Sequence, residues 1–424
     1  MKNNLKVILC ACLCFCGIVQ TQAQDSLSVK TKLIGMGSFE AGQFMKAEML
    51  GVTPVTHLWY QRAYVDLGFS ATINERTLLY FVAEGMAHYN TTTSKDIIPN
   101  DFVLYRFYPQ HVEGTYSFGD LEKPYLQLGF GIFPYKYNDD VRNFGGYLFR
   151  TLTYPPVMVN QFDYTITPLT GLRLTSTLLD SLHLCAMLTS ESQNIQLQDY
   201  NISLLADYTL LKAVTIGGGA FFSRILSVND GGTTPHVPNN IYVDPVTKDT
   251  TYWSFAGTKL MARLAIDPKV FFPCDLFGAN DLRFYSEVAI IGTKDYPLYY
   301  DQLWKRVPIM AGFNFPTFKI LDVLNLEVEY YRWNFPNSYT NAFFASQSPK
   351  PDPLTQNFNS DEQNLRWSFY AKRHIGSNIS IIGQIAYDHS RIESNVDVNS
   401  ATYYGDAMHK HGDWAWTLKS EFDF

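Results

Sequence analysis

The chain has 424 residues, a formal net charge of −7 and 15% aromatic residues, with 28 Tyr and 30 Phe. A mildly acidic balance argues against a nucleic-acid surface, and the lack of a long apolar run beyond the N-terminus excludes a bundle of membrane-spanning helices. Neither property excludes a transmembrane β-barrel, whose strands are apolar on one face only and whose interfacial girdles use many aromatics.

The N-terminus comes first. Lys2 and Lys6 precede an almost wholly apolar stretch at 7–19, and Thr21-Gln22-Ala23 offers a cleavage site before Gln24. This is the pattern of a secretory signal peptide, 1–23, which leaves 24–424 as the mature chain. Cleavage removes Cys10, Cys12, Cys14 and Cys16 together with two lysines, so the mature charge is −9. Cys185 and Cys274 remain, and two distant cysteines build neither a disulfide framework nor a thiolate metal site.

From about residue 32 onward, apolar and polar residues alternate in segment after segment. In 62–73, Ala63, Val65, Leu67, Phe69 and Ala71 share one parity, and Arg62, Tyr64, Asp66 and Ser70 the other. Leu204, Ala206 and Tyr208 oppose Ser203 and Asp207; Leu326 and Val328 oppose Glu327 and Glu329. Strand side chains alternate faces with period two, so each segment has one lipid-compatible face and one wet face. The segments predict strands at 32–45, 60–73, 77–90, 101–118, 124–134, 162–178, 182–191, 199–210, 213–227, 251–267, 281–293, 305–316, 324–333, 365–374, 378–390 and 412–424. That is about sixteen, with fourteen to eighteen compatible with the same pattern, in a single all-β antiparallel transmembrane barrel over 24–424.

The connections alternate in length. Asn74-Glu75-Arg76, Leu179-Asp180-Ser181, Leu211-Lys212 and Ile375-Gly376-Ser377 are short; 91–100, 135–161, 228–250, 334–364 and 391–411 are long and polar. Short periplasmic turns and long outer loops are the asymmetry of these barrels. The connections at 268–280 and 317–323 are longer than the turn side predicts.

The last segment, 414–424, puts Trp414, Trp416, Leu418, Phe422 and Phe424 on one face and Thr417, Lys419, Glu421 and Asp423 on the other. Ending on an aromatic, it resembles the C-terminal strand of bacterial outer-membrane β-barrels. The resemblance implies that these five apolar residues form the signal read by the barrel-insertion machinery.

The most unusual stretch is 133–150, Phe-Pro-Tyr-Lys-Tyr-Asn-Asp-Asp-Val-Arg-Asn-Phe-Gly-Gly-Tyr-Leu-Phe-Arg. It opens the third outer loop and sets Lys136, Arg142 and Arg150 beside Asp139 and Asp140 among aromatics. Together with the apolar strand before it, it is similar to a stretch in Bacteroidota outer-membrane proteins of unassigned function, which implies a barrel and no particular activity. In sixteen-stranded general porins the third loop folds into the lumen. By that resemblance 135–161 narrows the lumen, with Lys136, Asp139, Asp140, Arg142 and Arg150 as constriction residues; the alternatives are an ordinary outer loop and a plug that closes the lumen. Asp25-Ser26-Leu27, Asp180-Ser181-Leu182 and Asp249-Thr250-Thr251 are similar to the O-glycosylation triplet of that phylum.

Inward-parity charges include Arg62, Asp66, Glu84, Arg283, Glu287, Glu327, Glu329, Arg366 and Lys372, with Asp207, Lys259, Arg263, Lys419, Glu421 and Asp423 beside them. The two signs are nearly balanced, so no one-sided ring predicts strong ion selectivity. Inward polar positions such as Ser203 are expected to tolerate charge. No nucleophile elbow, phosphate loop or metal-ligand spacing appears beyond His409-Lys410-His411. No catalytic residue, metal or cofactor is therefore expected. The expected function is passive passage of small polar solutes across a Gram-negative outer membrane. The rivals are a loop-plugged scaffold and a barrel enzyme. The expected partners are outer-membrane lipid, lipopolysaccharide, the insertion machinery, and either a second copy of the chain or another envelope protein.

Overall fold

The computed structural model describes residues 28–46, 56–57, 59–91, 102–120, 123–150, 167–179, 181–190, 200–226, 241–244, 246–252, 257–272, 274–293, 302–331, 365–387, 393–398, 401–406 and 412–424. The proposed signal peptide, Asp25-Ser26-Leu27 and His409-Lys410-His411 lie outside them.

Sixteen strands close one antiparallel barrel. They are β1 (Val29–Lys46), β2 (Trp59–Ile73), β3 (Thr77–Thr91), β4 (Phe102–Gly119), β5 (Pro124–Tyr135), β6 (Thr167–Leu179), β7 (Leu182–Ser190), β8 (Tyr200–Leu210), β9 (Val214–Leu226), β12 (Gly257–Ile266), β13 (Phe284–Ile290), β14 (Ile309–Asn314), β15 (Val323–Tyr330), β16 (Leu365–Ile375), β17 (Ile379–Tyr387) and β20 (Trp414–Asp423). Two separate hairpins, β10 (Ile241–Val243) with β11 (Thr250–Tyr252) and β18 (Glu393–Val398) with β19 (Ala401–Asp406), stand in the connections after β9 and β17. The strand count and order agree with the sequence pattern. Among the edges that differ, three do so for identifiable local reasons. Thr251 and Tyr252 pair with Tyr242 and Ile241 instead of starting a barrel strand. Leu282 takes a left-handed φ of 60°, and β13 begins only at Phe284. Leu303–Arg306 coils into a 3-10 turn, which delays β14 to Ile309.

The barrel closes where β1 pairs with β20, from Met36 opposite Asp423 to Gln43 opposite Trp416. The C-terminal residue helps to seal that seam. The Phe424 amide donates to the Gly35 carbonyl at 3.0 Å, and its ring lies where any side chain at position 35 would go, 2.3 Å from an ideal Cβ. On the outer face Leu33, Leu67, Phe107, Phe130, Leu172, Leu204, Ile216, Leu260, Ile309, Phe369, Ile385 and Leu418 are all exposed. An apolar surface that encircles a barrel is far larger than water tolerates on a soluble protein, and it fits a hydrocarbon surround, in which a closed ladder leaves no backbone group unpaired. At the loop end Trp59 meets Trp416 edge-on at 5.4 Å and Trp367 stacks on Tyr387 at 5.6 Å, as interfacial aromatics do. No described helix is long and apolar enough to cross a membrane.

The short connections and both barrel-forming chain ends fall on one side. Asn74 and Glu75, and Leu211 and Lys212, each take two successive left-handed conformations, the geometry that turns a twisted hairpin tightly. The two longer turns on this side are ordered locally. Asp267 caps the 3-10 turn Pro268–Val270 by accepting from the Lys269 amide. Asp322, just before β15, receives the His374 amide and side chain. Partial burial works against its charge, but the His374 contacts and nearby Arg373 outweigh it and hold the carboxyl below its usual range.

The inner surface is not uniformly polar. On β5 to β9 and β12 to β14 the inward positions include Phe133, Leu169, Cys185, Met187, Leu205, Phe221, Met261, Tyr285 and Met310, which belong to one buried cluster. Ser203 is fully buried and paired with Met187 and Phe221. It does not face open water, so the expected tolerance for a charge at Ser203 is corrected: an arginine there would enter a packed interior. The arc of β17 and β20 to β4 keeps polar inward residues, among them Ser38, Glu40, Arg62, Asp66, Glu84, Gln384 and Thr417.

Candidate functional site: the third loop and the inner wall

The segment after β5 completes that buried cluster. Tyr137, Val141 and Phe144, with Tyr147, Leu148 and Phe149 of the one-turn helix α1 (Tyr147–Arg150), are buried against the inward apolar residues of β5 to β9 and β12 to β14. Tyr135 and Phe149 meet edge-on at 5.0 Å, and Phe149 meets Phe221 at 6.0 Å. The loop therefore runs inside the barrel, where burial of six large apolar side chains stabilises it by about 1.5–3 kcal/mol each.

Polar contacts fix its position, and they come mainly from three glutamates at inward positions of β13 and β15. Glu327 accepts from the backbone N–H groups of Arg142 (2.6 Å), Asn143 (2.6 Å) and Phe144 (2.8 Å) and from the Tyr285 hydroxyl (2.6 Å). Glu287 accepts from the Asn138 side-chain amide at 2.7 Å and from the Gly146 N–H at 2.6 Å. Glu329 accepts from the Tyr147 hydroxyl at 2.8 Å and pairs with Arg366 at 2.8 Å. A carboxylate offers several acceptor sites and a loop backbone offers donors with no strand partner, so each satisfies the other. Farther round the wall, the Tyr137 hydroxyl donates to Asp207 and to the Gly218 carbonyl, both at 3.0 Å. Arg263 bridges Asp207 at 2.8 Å and the Tyr137 carbonyl at 2.9 Å.

The five loop charges singled out by sequence separate into different environments. Asp140 is buried and pairs with Arg283 at 2.8 Å. Asp139 is exposed. Lys136, half-buried, donates to the Val141 carbonyl at 2.8 Å. The Arg142 guanidinium lies over the Tyr370 ring at 5.5 Å. The backbone of Arg150 is in α1, and its side chain lies outside the described residues.

Of the inward charges, Glu287, Glu327, Glu329, Arg283 and Arg366 hold or flank the loop. Lys372 pairs with Glu421 at 3.0 Å, and Lys419 approaches the same carboxylate at 2.9 Å. Arg62, Asp66 and Glu84 lie on the opposite, polar arc, where Arg62 sits over the Tyr60 ring at 5.6 Å and Tyr108 donates to Glu84. The loop contacts named here reach β8, β9, β12, β13, β15 and β16, and none of them reaches that arc. Among the described residues no group of three or more His, Cys, Asp or Glu is placed to hold a metal ion.

Sequence reasoning missed Tyr137 and Asn138 as anchors and Glu113, which pairs with Arg173 at 2.6 Å. It also missed a usable signal, Gly217-Gly218-Gly219 in mid-strand. Glycine inside a strand marks close approach of another segment. A Cβ at position 217 would stand 2.7 Å from the Tyr137 hydroxyl, and one at 219 would stand 2.9 Å from Leu148.

Neither a family model nor a curated protein sequence matches the chain. Among solved structures, it is similar to a triple mutant of the Rhodopseudomonas blastica porin, at 8% identity over 93% of this chain and 100% of that one, with a TM-score of 0.44. It is similar also to Salmonella typhi OmpF in complex with daunomycin, at 10% identity over 93% and 98% of the two chains, with a TM-score of 0.48. Likeness this loose shows no function, and the fold rests on the closed strand ladder of the chain itself.

Proposed function

We propose that the protein is an outer-membrane channel of Gram-negative type that passes small polar solutes passively, with the third loop narrowing its lumen. One observation supports this above the rest: the described part of the loop is packed onto the inner wall of β5 to β9 and β12 to β16 by an apolar cluster and three glutamates, while the inward residues of β17 and β20 to β4 include Glu40, Glu84, Gln384 and Thr417. A solute path in this reading is eccentric. It runs along β17 and β20 to β4, with Asp139, Lys136 and Arg142 facing it from the loop. Charges of both signs across a throat of reduced dielectric orient a polar solute without strong selection by net charge. The apolar belt, the aromatic rims and the terminal Trp414, Trp416, Leu418, Phe422 and Phe424 support insertion in an outer membrane, with lipid, lipopolysaccharide and the insertion machinery as partners and a second copy or another envelope protein as a further one.

The extent of the buried interior favours one second reading, a plugged barrel that serves as a scaffold. Arg62, Asp66, Glu84 and Lys259 are all buried although they point inward. Planar-bilayer recording of purified protein separates the two. A channel conducts, deletion of 137–146 raises its conductance, and Arg142→Glu tilts its ion selectivity toward cations. A parent that is silent while the deletion conducts establishes the plug and refutes the channel.

A further inference from the structure

Among the described residues, most acids of the inner wall are matched by positive or N–H donors. Glu113 has Arg173, Asp207 has Arg263, Asp140 has Arg283, Glu329 has Arg366 and Glu421 has Lys372. Glu287 and Glu327 have loop donors. Asp66 on β2 and Glu84 on β3 are not matched in this way. They stand directly opposite each other in the strand register, and their carboxyl groups are within hydrogen-bonding reach of one another. Both are more than nine-tenths buried, and among the described residues neither forms an ion pair with a base. The nearest base on that arc, Lys419, is held by Glu421 at 2.9 Å.

Glu84 is oriented by two donors: one oxygen accepts from the Tyr108 hydroxyl and the other from the Gln110 side-chain amide at 3.1 Å. Asp66 adds an independent feature: its Oδ1 is fully buried and has no hydrogen-bond partner. A buried acceptor without a donor is costly, and two adjacent carboxylates without a counter-charge repel. An oxygen-only donor set of two carboxylates and a phenol suits a hard cation and not a soft one.

We propose that Asp66 and Glu84 form a binding site for a hard divalent cation of the calcium class on the polar arc of the inner wall. Asp66 Oδ1 is the open ligand position, and Glu84, oriented by Tyr108 and Gln110, supplies the second carboxylate. Water completes the shell, which places the affinity in the weak, extracellular class, with a Kd of about 0.1–1 mM. The site does not require the lumen to conduct.

The test is equilibrium binding to the full mature chain in detergent micelles at a fixed neutral pH. Terbium(III) is the probe, excited through the neighbouring tyrosines, and calcium chloride is the competitor. The expected result is saturable luminescence displaced by calcium. The apparent affinity should fall at least tenfold in Asp66→Asn and in Glu84→Gln and stay unchanged in Asp139→Asn, which removes an exposed loop acid. Far-UV circular dichroism confirms that each variant keeps its barrel. Both Asn and Gln are neutral near-isosteres, so the fold is not at stake. Equal affinity in parent, Asp66→Asn and Glu84→Gln overturns the proposal. So does the absence of saturable binding up to about 10 mM calcium, which would mean that the pair holds a proton instead. Because no current is measured, failure here is distinct from failure of the channel reading.

Discussion

Replacing Glu327 by Gln tests the attachment of the third loop most directly. In the parent, Oε2 accepts the N–H groups of Asn143 and Phe144, and Oε1 accepts the N–H of Arg142 and the Tyr285 hydroxyl. A carboxamide has one oxygen and one NH2. With the NH2 at the Oε1 position the Arg142 N–H faces a donor while the Tyr285 hydroxyl turns to accept; the other way round, the Asn143 and Phe144 bonds are lost. Hydrogen bonds to a charged group contribute about 1.5–3 kcal/mol each, so the docked loop loses at least one such bond, about 1.5–3 kcal/mol. At about 1.4 kcal/mol per decade, even the lower figure raises the population of the undocked loop about tenfold. Hydrogen exchange read by mass spectrometry over 136–150 should show that change as faster exchange of these amides, because exchange follows local opening. The barrel strands should exchange as before, since Glu327 keeps its place in the β15 ladder. Unchanged exchange at 142–144 in a correctly folded Glu327→Gln variant would falsify the idea that this carboxylate holds the loop.

Three further outcomes follow from the same structure. Cys274 is exposed and lies in a connection on the turn side; an impermeant thiol reagent on intact cells should leave it unlabelled and should label a Val246→Cys variant in the outer hairpin, and the opposite pattern would invert the topology. Leu204→Arg puts a charge on the lipid face and should cost about 2–4 kcal/mol if the site lies near the midplane, measured as loss of folded protein in urea titration, whereas Ser70→Arg on the polar arc should be accommodated; equal damage would reverse the facing of the strands. Asp322 has its carboxyl held below the usual range, so its contribution is present above ordinary carboxylate pH and is lost as pH falls through the depressed value; thermal unfolding should show Asp322→Asn less stable than the parent at neutral pH and equal to it in strong acid, and a difference that persists in acid would assign the effect to something other than the charge.

Much of this molecule is written in short-range pattern. The alternation in 62–73 or 199–210 requires only that successive side chains of a strand point to opposite faces, and the brevity of Asn74-Glu75-Arg76 requires only a tight turn. Those local rules place sixteen strands, both termini on the turn side, and the outward set of Leu67, Leu204 and Leu418. The details that failed are also local but conditional. The strand expected from 305 starts only at Ile309, because Leu303–Arg306 coils into a 3-10 turn, and Thr251 finds its partner in Tyr242, nine residues back, and not in a neighbouring barrel strand.

The interior was a different problem. Period two identifies Ser203 and Glu327 alike as inward, but it does not say what occupies the inside. Whether an inward residue meets water, as in an open lumen, or Phe149 and Leu148, as beneath the loop, depends on a segment that returns from far along the chain. Met187, Leu205, Phe221 and Met261 each look like an isolated exception to a polar inner face, and they become one cluster only when eight strands curve round and the loop fills the space between them. Glu327 shows the same limit. Its charge and parity were legible, but its partners are backbone N–H groups more than 180 residues away, and a backbone donor leaves no mark in a sequence. Parity is set by neighbours two residues apart and survives without the fold. Burial and hydrogen bonding inside a barrel are set by closure, and only the tertiary structure supplies that.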